Sequence, residues 1–91
     1  MLKPTVPAAE FEKCGFKRCK KPYNKCFYLC VARGKKMLFV SDSYFSVFEW
    51  NQNDPRIHKN VNCKYRDIRD SLDIIYDLIK MGFLKSEYEE K

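Results

Sequence analysis

Five cysteines and one histidine are the residues of this chain with the most chemistry to offer, and their spacing decides how much of it is realised. Cys14, Cys19, Cys26, Cys30 and Cys63, together with His58, are enough ligands for a tetrahedral zinc ion. Such a site takes its thiolates in close pairs from tight knuckles, because four lone pairs must converge on one point. Cys14 and Cys19 have four residues between them, which makes at best one loose knuckle. Cys26 and Cys30 have three between them in a run of strand-forming residues, where they share a face but sit too far apart to chelate one ion. A zinc site would then need His58 or Cys63 in place of one of them. The spacing favours buried thiols acting as small hydrophobes over metal ligation and over disulfides, and no metal or cofactor is expected.

Catalytic patterns find little support. The chain has no GxSxG elbow, no glycine-rich phosphate loop, no HExxH pair and no CxxC redox pair. His58 with any cysteine is formally a nucleophile and base, but a single histidine in a polar stretch is more often solvated than catalytic. Asp70, Asp73 and Asp77 interleave with Arg66, Arg69 and Lys80, which reads as a solvated ion-pair face. The chain is not expected to be an enzyme.

Charge is the more informative chemistry. The formal net charge of +6 is unevenly spread: residues 1–36 hold ten Lys and Arg against two Glu, and residues 37–91 hold eight against ten acidic residues. A basic half of this kind attracts polyanions, of which nucleic acid is the most abundant in a cell. The candidate phosphate ligands are Lys17, Arg18, Lys20, Lys21, Lys25, Arg33, Lys35 and Lys36, with Tyr23 and Tyr28 as stacking surfaces and Phe16 interleaved among them. The competing reading is a solvated surface that serves solubility.

These side chains need elements to hold them. At 91 residues, 45% hydrophobic and 15% aromatic, the chain is of a size and composition for one small folded domain. No apolar run approaches the ~20 residues of a membrane span. Residues 1–9, with Pro4 and Pro7, lack apolar periodicity and read as a loosely held leader, residues 10–84 as the domain, and residues 85–91 as a frayed polar tail. Met1 to Pro7 also lack the apolar stretch of a secretory signal, so a cytoplasmic, reducing location is expected. From Cys26 to Val40, dense β-formers are interrupted once by Arg33, Gly34, Lys35 and Lys36, which predicts a hairpin. Both faces of its first strand are apolar, so that strand is central, with Gly15 to Lys20 as its other neighbour and Pro22, Tyr23 and Asn24 in the turn between. Ser41 to Trp50 fits alternation or a short helix capped by Asp42 or Ser43, with the helical turn slightly favoured. Residues 51–60 have loop chemistry.

The last element is an amphipathic helix from about Cys63 to Met81, capped by Asn62 and stopped at Gly82. Its stripe of Ile68, Leu72, Ile75 and Ile79 is expected to pack on Phe27, Leu29, Val31, Leu38 and Val40, and Arg66–Asp70 and Arg69–Asp73 are candidate surface pairs. The fold class is therefore α+β, a small antiparallel sheet of about three strands against one C-terminal helix.

In outline this resembles the small sheet-reading DNA-binding domains of mobile-element integrases, though no motif is shared. It departs from a double-stranded RNA-binding domain, because the helix opens with Lys64, Arg66, Asp67 and Arg69 rather than a lysine-rich start. The expectation is a small basic nucleic-acid-binding accessory protein. The alternative is a protein-binding module or inhibitor from a phage or mobile element, acting on an acidic or nucleic-acid-processing partner. Its state would be monomer or homodimer through the C-terminal helix.

Overall fold

The structure, a computed structural model, describes residues 2–51, 53–58 and 69–86. It is α+β. The chain runs β1 (Leu2–Pro4), a 3-10 helix (Ala8–Cys14), β2 (Lys17–Arg18), β3 (Phe27–Val31), β4 (Lys36–Val40), β5 (Phe45–Glu49), α1 (Ser71–Lys80) and β6 (Leu84–Ser86). Strands β2-β3-β4-β5 form one antiparallel meander, and β1 and β6 pair separately. The sheet thus has four strands rather than about three.

Strand β3 is central, as its two apolar faces require, and all five of its residues are buried. Phe27, Leu29 and Val31 face one cluster with Leu38, Val40 and Phe45, covered by Ile74, Ile75 and Leu78 of α1 and by Phe11 of the 3-10 helix. Tyr28 faces the other way into a smaller cluster with Cys19, Met37, Phe39 and Ile57. The β3–β4 turn carries three consecutive residues at positive φ: Ala32 at 53°, Arg33 at 56° and Gly34 at 87°. Only the glycine adopts this conformation without steric cost. The Ala32 amide donates to Arg69 O at 2.8 Å, which ties the turn to the approach of α1.

Several expectations differ from what is observed. Residues 45–49 form β5, not a helical turn, paired along β4 from Val40↔Phe45 to Lys36↔Glu49. The reason lies in the preceding residues. Ser41 Oγ accepts from the amides of Ser43 and Tyr44, and Ser41 N donates to Tyr44 O, closing a hairpin turn. Asp42, a candidate helix cap, accepts instead from Ala8 N at 2.7 Å. The expected leader contains β1, whose partners Leu84–Ser86 include the first two residues of the expected tail. Thr5 continues the connection, donating from its amide to Phe83 O and from its hydroxyl to Gly82 O.

Helix α1 starts at Ser71, not Cys63. Asp70 is extended (φ −66°, ψ 154°) and its carboxylate accepts from Ser71 N at 2.7 Å, so it is the cap; Asn62, Cys63, Arg66 and Ile68 lie outside the described residues. The helix ends as expected at Gly82 (φ 81°), where Gly82 N donates to Ile79 O and Phe83 N to Leu78 O, closing the last turn in a Schellman motif. Its buried face is Ser71, Ile74, Ile75 and Leu78. Leu72 and Ile79, expected in the core, are exposed, with Leu72 at 61%. The apolar arc of the helix is wider than the sheet can cover, and the rotation fixed by the two caps turns Ile74 and Leu78 inward. Arg69 pairs with Asp77 at 2.6 Å instead of Asp73.

Candidate nucleic-acid interface

Five of the candidate cations, Lys17, Arg18, Lys20, Lys21 and Lys25, lie on β2 and on the turn from β2 to β3. The turn has its own hydrogen bonds. Cys19 N donates to Cys26 O, Tyr23 N to Lys20 O and Cys26 N to Tyr23 O, with distances of 2.9, 2.7 and 3.0 Å, and the Lys21–Pro22 peptide is cis. Lys20 N donates to Arg56 O at 2.8 Å, which docks the turn on the segment after β5. Arg18 acts as a clamp: its guanidinium lies 4.9 Å from the Phe27 ring centroid and donates to Asn24 O at 2.9 Å, with Glu12 4.0 Å away. Among the described residues no ion pair engages Lys17, Lys20, Lys21 or Lys25. Lys21 and Lys25 are exposed, and Tyr23 between them is 41% exposed.

A cleft opens on each side of this turn. One, of about 370 Å³, is lined by Tyr23, Cys26, Tyr44, Asp54, Pro55 and Arg56. The other, of about 330 Å³, is lined by Pro7, Ala8, Ala9, Arg18, Lys25, Phe27 and Asp42. In the first, Arg56 is engaged by an ion pair and two rings. Its Nε and Nη2 donate to the two carboxylate oxygens of Asp54 at 3.0 and 2.8 Å, and its guanidinium stacks 3.8 Å from the Phe39 centroid and 5.5 Å from that of Phe48. The hydrogen bond from Arg56 holds the Asp54 carboxyl below its ordinary range. Tyr44 contributes a 40% exposed ring whose hydroxyl lies 3.6 Å from Cys26 Sγ; that contact, then burial, raises the hydroxyl's pKa.

The other candidates do not join this group. Arg33, Lys35 and Lys36 sit at the opposite end of β3, a five-residue strand and so about 16 Å long. Lys36 Nζ is bonded to Glu49 at 2.8 Å, which raises its pKa, first by the hydrogen bond and then by the charge. Tyr28 is 2% exposed, with its hydroxyl accepting from His58 N at 3.2 Å, so it offers no stacking face. Phe16 is likewise buried. Tyr28 lies on the central strand of a sheet covered on both faces, so alternation carries it into the smaller core, and Phe16, just before β2, packs edge-on against Phe11 in the larger one. His58 is not a solvated loop residue. It is half-buried, with Nε2 3.1 Å from Arg18 O and its ring 6.2 Å from that of Tyr28.

Sequence reasoning missed Tyr44, Asp54 and Arg56. The only signal for the last two was turn chemistry around Asn53, Asp54 and Pro55, which marks a loop without saying where it docks.

The cysteines depart from the expectation in one respect. Cys14, Cys19 and Cys26 are free, but Cys30 is disulfide-bonded rather than an idle thiol, and Cys63 lies outside the described residues. Among the described residues no three His, Cys, Asp or Glu side chains are grouped to hold a metal ion. No helix among them is long and apolar enough to cross a membrane. No model of a known protein family matches the chain, and neither the curated proteins nor the solved structures contain a match to it.

Proposed function

We propose that the chain is a nucleic-acid-binding accessory protein whose contact surface is the β2–β3 turn and the cleft beside it. One observation carries this reading. Five cations lie within nine residues on β2 and the β2–β3 turn, three of them on the turn with an exposed tyrosine, in a stretch from Lys13 to Ser41 that contains no acidic residue. Lys20, Lys21 and Lys25 would meet phosphates, and Tyr23 and Tyr44 would take bases against their rings. Exposed aromatic planes reach only bases that are unstacked, so single strands are favoured over duplex. Arg18 and Arg56 are already engaged and serve to hold the turn. Lys17 and the distant group of Arg33, Lys35 and Lys36 would contribute long-range attraction rather than contacts to the same strand.

The test is a titration of labelled single- and double-stranded DNA and RNA by fluorescence anisotropy at several salt concentrations. The variant is the combination of Lys20→Glu, Lys21→Glu and Lys25→Glu, which leaves the packed Arg18 in place. The parent is expected to bind single strands with a steep salt dependence, and each lost phosphate contact to lower the slope by about 0.7 to 1. Tyr23→Ala should cost about 1–3 kcal/mol with little change in slope. No binding by the parent at low salt, or equal binding by the triple variant, would overturn the proposal in favour of a selective protein partner.

A further inference from the structure

Two thiols bracket the basic turn. The β2–β3 ladder pairs Lys17 with Tyr28 and Arg18 with Phe27, and the next hydrogen bond, Cys19 N to Cys26 O at 2.9 Å, continues that register. Cys19 therefore lies directly across from Cys26, and opposed residues of an antiparallel pair point their side chains to the same face. A hydrogen-bonded pair of this kind has its Cα atoms about 5.5 Å apart, inside the roughly 4.4–6.8 Å that a disulfide spans. Both side chains belong to the cluster around Tyr28 and Phe39, and both thiols are free. Cys14 packs against the opposite cluster, on the other side of the sheet.

We propose that Cys19 and Cys26 are a redox pair that closes to a disulfide across β2 and β3 by exchange with a low-molecular-weight disulfide. Access sets the order of events. Cys26 is half-buried and lines the cleft with Tyr23 and Tyr44, whereas Cys19 is 3% exposed. Burial, with smaller contributions from its neighbours, pushes the Cys19 thiol up to about 12, so it is the poorer first nucleophile. The Cys26 thiolate attacks one sulfur of the small disulfide, forming a mixed disulfide and releasing one thiolate. The Cys19 thiol then gives its proton to that thiolate or to solvent and attacks Cys26 Sγ, expelling the second thiolate. The protein loses two hydrogens in all, and one small disulfide becomes two thiols. The product encloses Lys20 to Lys25 in a small covalent ring and fixes β2, an edge strand of only two residues, to the sheet.

The experiment equilibrates the folded full chain with glutathione buffers of increasing oxidised fraction, quenches with iodoacetamide, and counts alkylated cysteines by mass spectrometry after digestion. The expected result is joint loss of alkylation at Cys19 and Cys26, a cross-link between the two segments cleaved at Lys20 or Lys25, and recovery of both sites on adding dithiothreitol. Cys26→Ser should leave Cys19 alkylated at every buffer composition when the quench is made in denaturant. Cys19→Ala should convert the response to a stable glutathione adduct on Cys26. Full alkylation of both residues in the most oxidising buffer overturns the proposal, as does a cross-link from either one to Cys14. The readout is covalent and independent of any nucleic acid.

Discussion

Leu72 and Leu78 are two leucines on one helix that sequence periodicity and structure rank in opposite order, and truncating each to alanine separates the two rankings. Leu78 is 1% exposed and packs in the cluster formed by α1, the 3-10 helix and the sheet. Leu78→Ala removes three carbons, worth about 0.8 kcal/mol each in transfer free energy, and leaves a cavity whose walls relax only in part. The expected cost is about 2–5 kcal/mol. Leu72 has most of its surface in water, and alanine is the better helix former, so Leu72→Ala should change stability by no more than about 0.5 kcal/mol. Urea unfolding followed by far-UV circular dichroism measures both. With a slope of about 1 kcal/mol/M for a chain this small, Leu78→Ala should lower the midpoint by about 2 M or more and Leu72→Ala should leave it within about 0.5 M. Equal shifts, or a larger shift for Leu72→Ala, would refute the helix rotation derived from its two caps.

Two further outcomes follow from the turn and the ion pair. Arg33 at φ 56° is a non-glycine residue in the left-handed region, so Arg33→Gly should raise the unfolding midpoint by the equivalent of about 1 kcal/mol, offset in part by the entropy that glycine gains on unfolding; a lower midpoint would argue against that conformation. Asp54 titrates below its ordinary 3.8 in the folded chain, so its pairing with Arg56 contributes stability that is intact above that value and is lost as pH falls through the folded pKa. Asp54→Asn should cost about 1–3 kcal/mol at neutral pH, since its side chain is only 9% exposed, and should flatten the acid limb of stability against pH; an unchanged limb would contradict the pairing.

The hairpin was legible because it is a local pattern. Dense β-formers over Phe27–Val31 and Met37–Val40 and a glycine-containing turn between them need no information from elsewhere in the chain. The stop of α1 at Gly82 was legible for the same reason. The rest depended on partners distant in sequence. Residues 45–49 have apolar side chains compatible with either helix or strand, and what decides is that β4 has an open edge and that Ser41 closes a turn bringing them back to it. Leu2–Pro4 carries no periodicity at all, and it is ordered by pairing with Leu84–Ser86 at the far end of the chain. Leu72 and Leu78, six residues apart, point about 120° apart around the helix axis, so burying Leu78 rather than Leu72 takes a rotation of at most about a third of a helical turn, which spacing alone does not set when the apolar arc is broad.

The charge was legible as a total and not as a shape. A hairpin sends residues before its first strand and residues in its turn to opposite ends, so the basic stretch from Lys17 to Lys36 becomes two groups, separated by the length of β3. Only the first lies beside a cleft with exposed aromatic rings, and most of that cleft's lining comes from later in the chain. Tyr44 arrives on the β4–β5 turn, and Asp54, Pro55 and Arg56 on the loop that covers Phe39. That loop is held by the Arg56 guanidinium on Phe39, by Lys20 N on Arg56 O, by His58 N on the Tyr28 hydroxyl and by Ile57 in the core around them. The backbone of the turn and of the loop that carry these side chains is thereby mounted on one framework before any ligand arrives, which leaves mainly side-chain ordering for binding to offset. On the proposed reading, a single strand crossing this end of the sheet would meet exposed aromatic planes flanked by lysines, and would owe its affinity to that pairing more than to the chain's total charge of +6.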